Sequence, residues 1–251
     1  MTERKILLQL DSVTKIFKAE DKREVIALEN TTLNCRENEF LCVLGPTGCG
    51  KTTLLRLLAG LEQPTTGSVT IHSNQIGFVF QQNTLFPWRT VIDNIMFGLE
   101  VRGWGYSERK KRASEVLQLV RLNGVEKAYP YELSGGMQQR ISIARALAYS
   151  PEILMMDEPF GSLDERTRYI LQSELLEIQR QNKMTVIFVT HNIEEAIFLA
   201  ERLLIVGGAP GQIVKELSID MPHPRDRISK SFISYLLDVR QVFEKLVLLP
   251  F

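Results

Sequence analysis

The stretch Gly45-Pro46-Thr47-Gly48-Cys49-Gly50-Lys51-Thr52-Thr53 decides the fold. An apolar run, Phe40-Leu41-Cys42-Val43-Leu44, precedes it, and a leucine-rich helical pattern, Leu54 to Leu61, follows. That order is strand, glycine loop, helix. The spacing G-x-x-x-x-G-K-[ST] falls on Gly45, Gly50, Lys51 and Thr52, the pattern of a loop that wraps phosphate. Glycines let the backbone turn its N–H groups inward on an anion. The helix that starts there adds the positive end of its dipole. Lys51 can reach the β- and γ-phosphates of a nucleotide, and the Thr52 hydroxyl can ligate Mg²⁺.

Composition narrows what surrounds this loop. The 251 residues suffice for one domain or two small ones. With 44% apolar and 24% charged residues the chain can bury a core. Lys plus Arg (30) equals Asp plus Glu (30), so no net field draws the chain to nucleic acid or to an anionic membrane. The basic run Arg109-Lys110-Lys111-Arg112 carries no interleaved aromatics for base stacking and reads as a solvated helix face. Cys35, Cys42 and Cys49 lack metal-ligand spacing and fit a reducing compartment, with Cys42 in the core of a strand. No apolar run reaches the length of a membrane span. Met1 to Lys5 lack the apolar stretch of a signal peptide. At a membrane, this chain is expected to rely on another chain's span.

Around the loop the chain reads in order. Ile6 to Asp11 and Glu24 to Cys35 are expected strands, with a polar turn over Lys18 to Arg23 and Phe17 between them. Phe17 either packs or stacks on a base delivered to the loop. Strands are expected over Ser68 to Ile71 and Gln75 to Phe80, the second ending at Gln81. Gln82 to Arg89 is irregular. Thr90 to Arg121 is helical, broken at Arg102 to Gly105, with Ser107 as the expected N-cap of its second part. Leu133-Ser134-Gly135-Gly136-Met137-Gln138-Gln139-Arg140 leads into a helix over Ile141 to Tyr149, and its hydroxyl and glycine N–H groups can form a second anion site, a weak signal on its own because many helix starts look similar.

Glu152 to Pro159 is a buried strand pattern ending in Asp157-Glu158. Open α/β sheets bind ligands at such strand ends. One carboxylate there can hold Mg²⁺ and its neighbour can polarise an attacking water. Gly161-Ser162-Leu163-Asp164 caps a helix over Glu165 to Gln181. Thr185 to Thr190 is another buried strand, ending at His191, and a short helix over Ile193 to Ala200 and a strand over Arg202 to Val206 follow. Met221 to Arg227 cannot be helical throughout because of its prolines. Ser231 to Leu249 is amphipathic, with Phe232, Leu236, Val239, Phe243 and Leu246 on one face.

The phosphate loop, Gln81, LSGGMQQR, ILMMDEP, the Ser162-Leu163-Asp164 turn and His191, in this order, resemble the ATP-binding cassette (ABC) family, from about Phe17 to His191. The Leu133 to Arg140 signature is the specific part, since other phosphate-loop ATPases lack it. Phe80-Gln81 with Leu85-Phe86-Pro87-Trp88, and the tail with Pro-Gly-Gln-Ile and His-Pro-Arg-Asp-Arg, look like the nitrate, sulfonate and taurine importer branch.

The resemblance implies an α/β fold: a RecA-like phosphate-loop NTPase core, an N-terminal antiparallel β region and an inserted α-helical subdomain at about 87–140, within one domain spanning 1–251. It implies ATP and Mg²⁺ as ligands. Phe17 would stack on adenine, and Gly45, Pro46, Thr47, Gly48, Cys49, Gly50, Lys51, Thr52 and Thr53 would hold the phosphates. Thr52, Gln81 and Asp157 would serve Mg²⁺. Glu158 would be the general base, Gln81 would contact the attacking water, and His191 would touch the γ-phosphate. Ser134, Gly135 and Gly136 would bind the ATP of a second copy, with Asp164 at that interface.

A homodimer or paired cassette, integral membrane permease subunits and, indirectly, a solute-binding protein are the implied partners, at the cytoplasmic face of the membrane and without nucleic acid. Met137 replaces the usual Gln of the signature, and Asn38-Glu39 stands where Gly-Glu is common; Asn tolerates left-handed backbone, so that turn should survive. Alkylation of Cys49 is expected to hinder ATP. The expected function is ATP hydrolysis powering an importer; the cassette of an exporter and a soluble ABC ATPase are the alternatives.

Overall fold

The computed structural model describes residues 4–18 and 23–247. The first three residues, the polar turn expected after Lys18 and the last two residues of the expected C-terminal helix lie outside the described residues. In chain order the elements are β1 (Ile6–Lys18), β2 (Glu24–Arg36), β3 (Phe40–Leu44), α1 (Lys51–Leu58), β4 (Thr66–Ile71), β5 (Ile76–Val79), α2 (Val91–Val101) and α3 (Tyr106–Leu119). After a short 3-10 turn come α4 (Gly135–Ala148), β6 (Ile153–Asp157), α5 (Glu165–Asn182), β7 (Thr185–Thr190), α6 (Ile193–Leu199), β8 (Arg202–Gly207), β9 (Gln212–Ser218) and α7 (Lys230–Val247). The chain divides into two units, residues 1–74 with 183–251, and residues 75–182.

In the first unit, β2, β1 and β4 form an antiparallel sheet. A second sheet runs β7-β3-β8-β9, parallel except for β9. Every residue of β3 and β7 is buried. A parallel strand is covered on both faces, so it reads as an unbroken apolar run rather than an alternating one. That is why both strands were legible to the residue. The turn before β3 survives its Asn: Asn38 adopts φ 58°, and its N–H donates to Thr185 Oγ1 at 2.9 Å. Buried Glu39 is matched by Arg202, whose Nη1 lies 3.2 Å from the carboxylate while its Nε pairs with Glu216 at 2.6 Å. In α7, Phe232, Val239 and Leu246 are buried, and the helix packs on α6. Leu246 sits where a Cβ on Gly207 would come within 2.6 Å.

In the second unit, β5 and β6 pair in parallel, and α2, α3 and α4 pack on one another. The irregular Gln82 to Arg89 stretch is held by side chains. Fully buried Asn94 on α2 accepts from Phe86 N–H at 2.8 Å and donates to the Phe86, Arg89 and Thr90 carbonyls at 3.0–3.1 Å. Arg145 on α4 donates to Thr84 O at 2.9 Å and to its hydroxyl at 2.6 Å.

Several expected boundaries move, each for a local reason. Phe17 lies inside β1, which continues seven residues past Asp11 to Lys18. α1 begins at Lys51 rather than Leu54, because Gly50 takes the left-handed cap conformation at φ 89°. The N-cap of α3 is Gly105, not Ser107; Glu108 Oε2 accepts from the Gly105 N–H at 3.3 Å and closes the turn. α4 starts at Gly135, six residues before Ile141, because the Ser134 hydroxyl accepts from Met137 N–H at 3.3 Å. β9 was not expected; only alternate residues along it are half-buried, a weak apolar signal.

Candidate functional site

The phosphate loop is built by exclusion. β3 enters it between β7 and β8 and leaves no room for a side chain at Gly45, where a Cβ would lie 2.4 Å from Val206 O and 2.6 Å from Cys49 Sγ. A Cβ on Gly50 would meet Ala27 O at 2.5 Å. Gly48 has φ 87° and open space before it. The backbone between these glycines is therefore free to face an anion at one point and pinned at the others. Lys51 is buried at the start of α1, and its ammonium donates to Gly45 O at 2.9 Å and Pro46 O at 2.8 Å. This holds a positive charge inside the loop curve, next to the N-terminus of α1. Pro46, Thr47, Thr52 and Thr53 complete the stretch. Cys49 is wholly buried, so a reagent reaches its thiol only when the loop opens.

The register of the sheet brings His191 to this loop. Leu44 of β3 faces Thr190 of β7, so the next residues, Gly45 and His191, leave adjacent strands at the same level. Thr190 Oγ1 donates to Glu195 Oε2 at 2.7 Å and accepts from Asn192 N–H at 3.0 Å, while Asn192 Oδ1 accepts from Glu195 N–H at 3.1 Å. His191 itself is exposed. Phe17 lies in the same unit, half-exposed, with the Lys15 ammonium 4.7 Å from its ring centre.

The second unit gathers the other group. Val79 of β5 faces Met156 of β6, which sends Gln81 and Glu158 off neighbouring strands. Gln81 Nε2 donates to Glu158 Oε2 at 3.4 Å. Asp157 is buried at the end of β6. Glu158 turns the chain through a left-handed φ of 45°, a conformation that costs energy for a residue with a Cβ. Such strain persists where the surroundings hold it, and it is concentrated at working sites.

Ser134 and Gly135 are exposed at the N-terminus of α4, and a Cβ on Gly135 would meet nothing within 4 Å. Gly136 faces the Ser162–Leu163 turn, with Leu163 Cδ2 at 3.2 Å from a Cβ position. Asp164 Oδ1 accepts from Thr167 N–H at 2.9 Å and caps α5 as expected. The Thr167 hydroxyl and N–H hold the Asp164 carboxyl below its ordinary range. Thr52 in the first unit, and Gln81 and Asp157 in the second, each carry an oxygen donor, the chemistry that Mg²⁺ accepts.

The sequence reading missed Asn94 and Arg145, which fix the segment after Gln81. Near them runs a groove of about 510 Å³, lined by Phe78, Phe80, Phe86, Phe97, Arg145 and Tyr149 among others. An Asn inside an apolar helix face was the available signal for Asn94. Nothing in the spacing singled out Arg145.

A family model described as ABC transporter matches residues 28–161. An uncharacterized ABC transporter ATP-binding protein of Methanocaldococcus jannaschii is 49% identical, over 97% of this chain and 94% of its own length. The aliphatic sulfonates import ATP-binding protein SsuB of Bacillus cereus is 43% identical, over 95% of this chain and 96% of its own. The nitrate import ATP-binding protein NrtD of Synechocystis is 41% identical, over 86% and 83%. Among solved structures, the dimeric ABC transporter cassette MJ0796 superposes with a TM-score of 0.79 at 35% identity, over 86% of this chain and all of that one. The same cassette is also known in a post-hydrolysis state with ADP and Pi. Loop, signature and strand-end carboxylates stand where these similarities run, and the chain belongs to the ABC transporter family of ATP-binding proteins.

Proposed function

We propose that this ATPase energises an importer, that it works as a pair of cassettes sharing two nucleotides, and that the residues assembled above carry out hydrolysis. The hydrolytic part is carried by the register that sets His191 at the level of the phosphate loop, and the import role is supported by the import ATP-binding proteins that this chain resembles. Phe17 stacks on the base, and the N–H groups of Gly45 to Thr53 with the Lys51 ammonium hold the phosphates. Thr52, Gln81 and Asp157 would hold Mg²⁺, which supplies neutralisation of phosphate charge when bound. Glu158 takes the proton of the attacking water as its oxygen bonds to the γ-phosphorus. The bond to the β–γ bridging oxygen breaks and ADP leaves. Gln81, already hydrogen-bonded to Glu158, orients that water, and His191 contacts the γ-phosphate.

Ser134, Gly135 and Gly136 contact the nucleotide of the partner cassette, with Asp164 at that interface; the dimeric form of MJ0796 supports this pairing. Permease subunits receive the motion through the Gln82 to Trp88 stretch and the aromatic groove beside it, which places the chain peripherally on the cytoplasmic membrane face. No described helix is long and apolar enough to cross a membrane. A solute-binding protein delivers the cargo, and the names of the relatives favour a sulfonate or a similar small anion.

Glu158→Gln is expected to keep ATP affinity and lose roughly 10²–10³-fold in turnover. Near-normal phosphate release would remove Glu158 from the role of base. For the cargo, ATPase of the reconstituted complex should rise with an alkanesulfonate and its binding protein; stimulation by nitrate alone would redirect the assignment.

A further inference from the structure

Helix α6 begins two residues after His191, with Asn192 as its N-cap, and has seven residues, too few to be stable alone. Its placement therefore comes from outside. At its C-terminal end, Arg225 Nη1 donates to the carbonyls of Ile197 at 2.6 Å, Phe198 at 3.3 Å and Ala200 at 2.7 Å. The same guanidinium donates to Ile219 O at 3.2 Å and Met221 O at 3.0 Å, which ties the helix end to the chain leaving β9. A cation at a helix C-terminus meets both the carbonyls left over by the last turn and the negative end of the dipole. Burial pushes the Arg225 guanidinium down to about 10, so it still carries its charge at neutral pH.

Two residues further on, Arg227 pairs with Glu194 in the first turn of α6, at 2.8 Å. Its guanidinium carbon also lies 3.6 Å from the ring centre of Phe198. One short segment, kept non-helical by Pro222 and Pro224, thus grips both ends of one short helix. On the other side, the Thr190, Asn192 and Glu195 hydrogen bonds lock the helix start to the end of β7, leaving His191 as the residue between two fixed parts.

We propose that Arg225 and Arg227 are positioning residues for His191: by clamping α6 at both ends they fix the level and angle at which the imidazole meets the γ-phosphate beside Gly45. This rests on the reading of His191 as the γ-phosphate contact. The His-Pro-Arg-Asp-Arg stretch then serves the reaction from a distance, and touches neither nucleotide nor metal.

Arg227→Gln tests it, since this side chain is partly exposed and its loss leaves the core intact. In the full-length protein, turnover should fall roughly tenfold, because a misplaced contact costs rate. ADP affinity by calorimetry should change less than about twofold, because ADP lacks the phosphate that His191 touches. In a His191→Ala background, Arg227→Gln should add no further loss of turnover. The charge swap Glu194→Arg with Arg227→Glu should recover part of the rate. Losses that multiply in the double variant, or full turnover in Arg227→Gln, overturn the clamp. Full turnover in His191→Ala overturns the assignment of His191, and the clamp with it; a slow His191→Ala beside a normal Arg227→Gln overturns the clamp alone. Arg225→Lys, followed by thermal melting, checks the other end: turnover lost with the melting point retained supports positioning, and turnover retained contradicts it.

Discussion

Two glycine-bearing helix starts sit in different units, and they are glycine-bearing for different reasons. In the phosphate loop the space is taken by the chain itself: Val206 O and Cys49 Sγ crowd Gly45, and Ala27 O crowds Gly50. In the signature the space at Gly135 is open, and only Gly136 has a neighbour, the Ser162–Leu163 turn. The fold demands the first pair. It does not demand Gly135, which leaves that position open for the partner nucleotide proposed above.

This contrast can be broken by substitution. Gly45→Ala should be the most severe, forcing a methyl into backbone and costing about 2–4 kcal/mol or abolishing nucleotide binding, as an overpacked core site does; a melting curve and an ATP titration near those of the parent would show that the loop has slack. Ser134→Ala removes the cap of α4 and should cost about 1 kcal/mol in chemical denaturation. Gly135→Ala should be the mildest for folding, neutral or stabilising by up to about 0.5 kcal/mol because alanine is the better helix former. Its turnover should nevertheless fall, since the added methyl occupies the face proposed for the partner's nucleotide. A Gly135→Ala protein that is both stable and fully active would end the outward reading of the signature.

What the sequence revealed follows the same division. β3 and β7 were readable to the residue because burial on both faces leaves an unbroken apolar run. β9 was not, because its residues are exposed or half-buried in alternation and carry mixed polarity. The start of α4 was misplaced because two glycines are poor helix formers, and the Ser134 cap outweighed them. Ser107 was a reasonable cap by type, yet Glu108 closed the turn on Gly105 instead. The candidate residues on strand ends and in the loop could be named in advance because residue type, spacing and the family resemblance single them out. Asn94, Arg145 and Arg225 were not, because each acts through backbone carbonyls that tertiary folding alone brings within reach.

The buried thiol of Cys49 has one more consequence. Cys35 and Cys42 are equally inaccessible, but they belong to strands, whereas Cys49 belongs to the loop. A thiol reagent added to the folded protein must wait for each site to open, so the three cysteines act as three clocks inside one molecule. The strand thiols are expected to react at the pace at which the sheets open, and the Cys49 thiol at the pace of the phosphate loop, slower when ATP is added. The chain thus carries an internal reference against which the motion of its own active site can be timed.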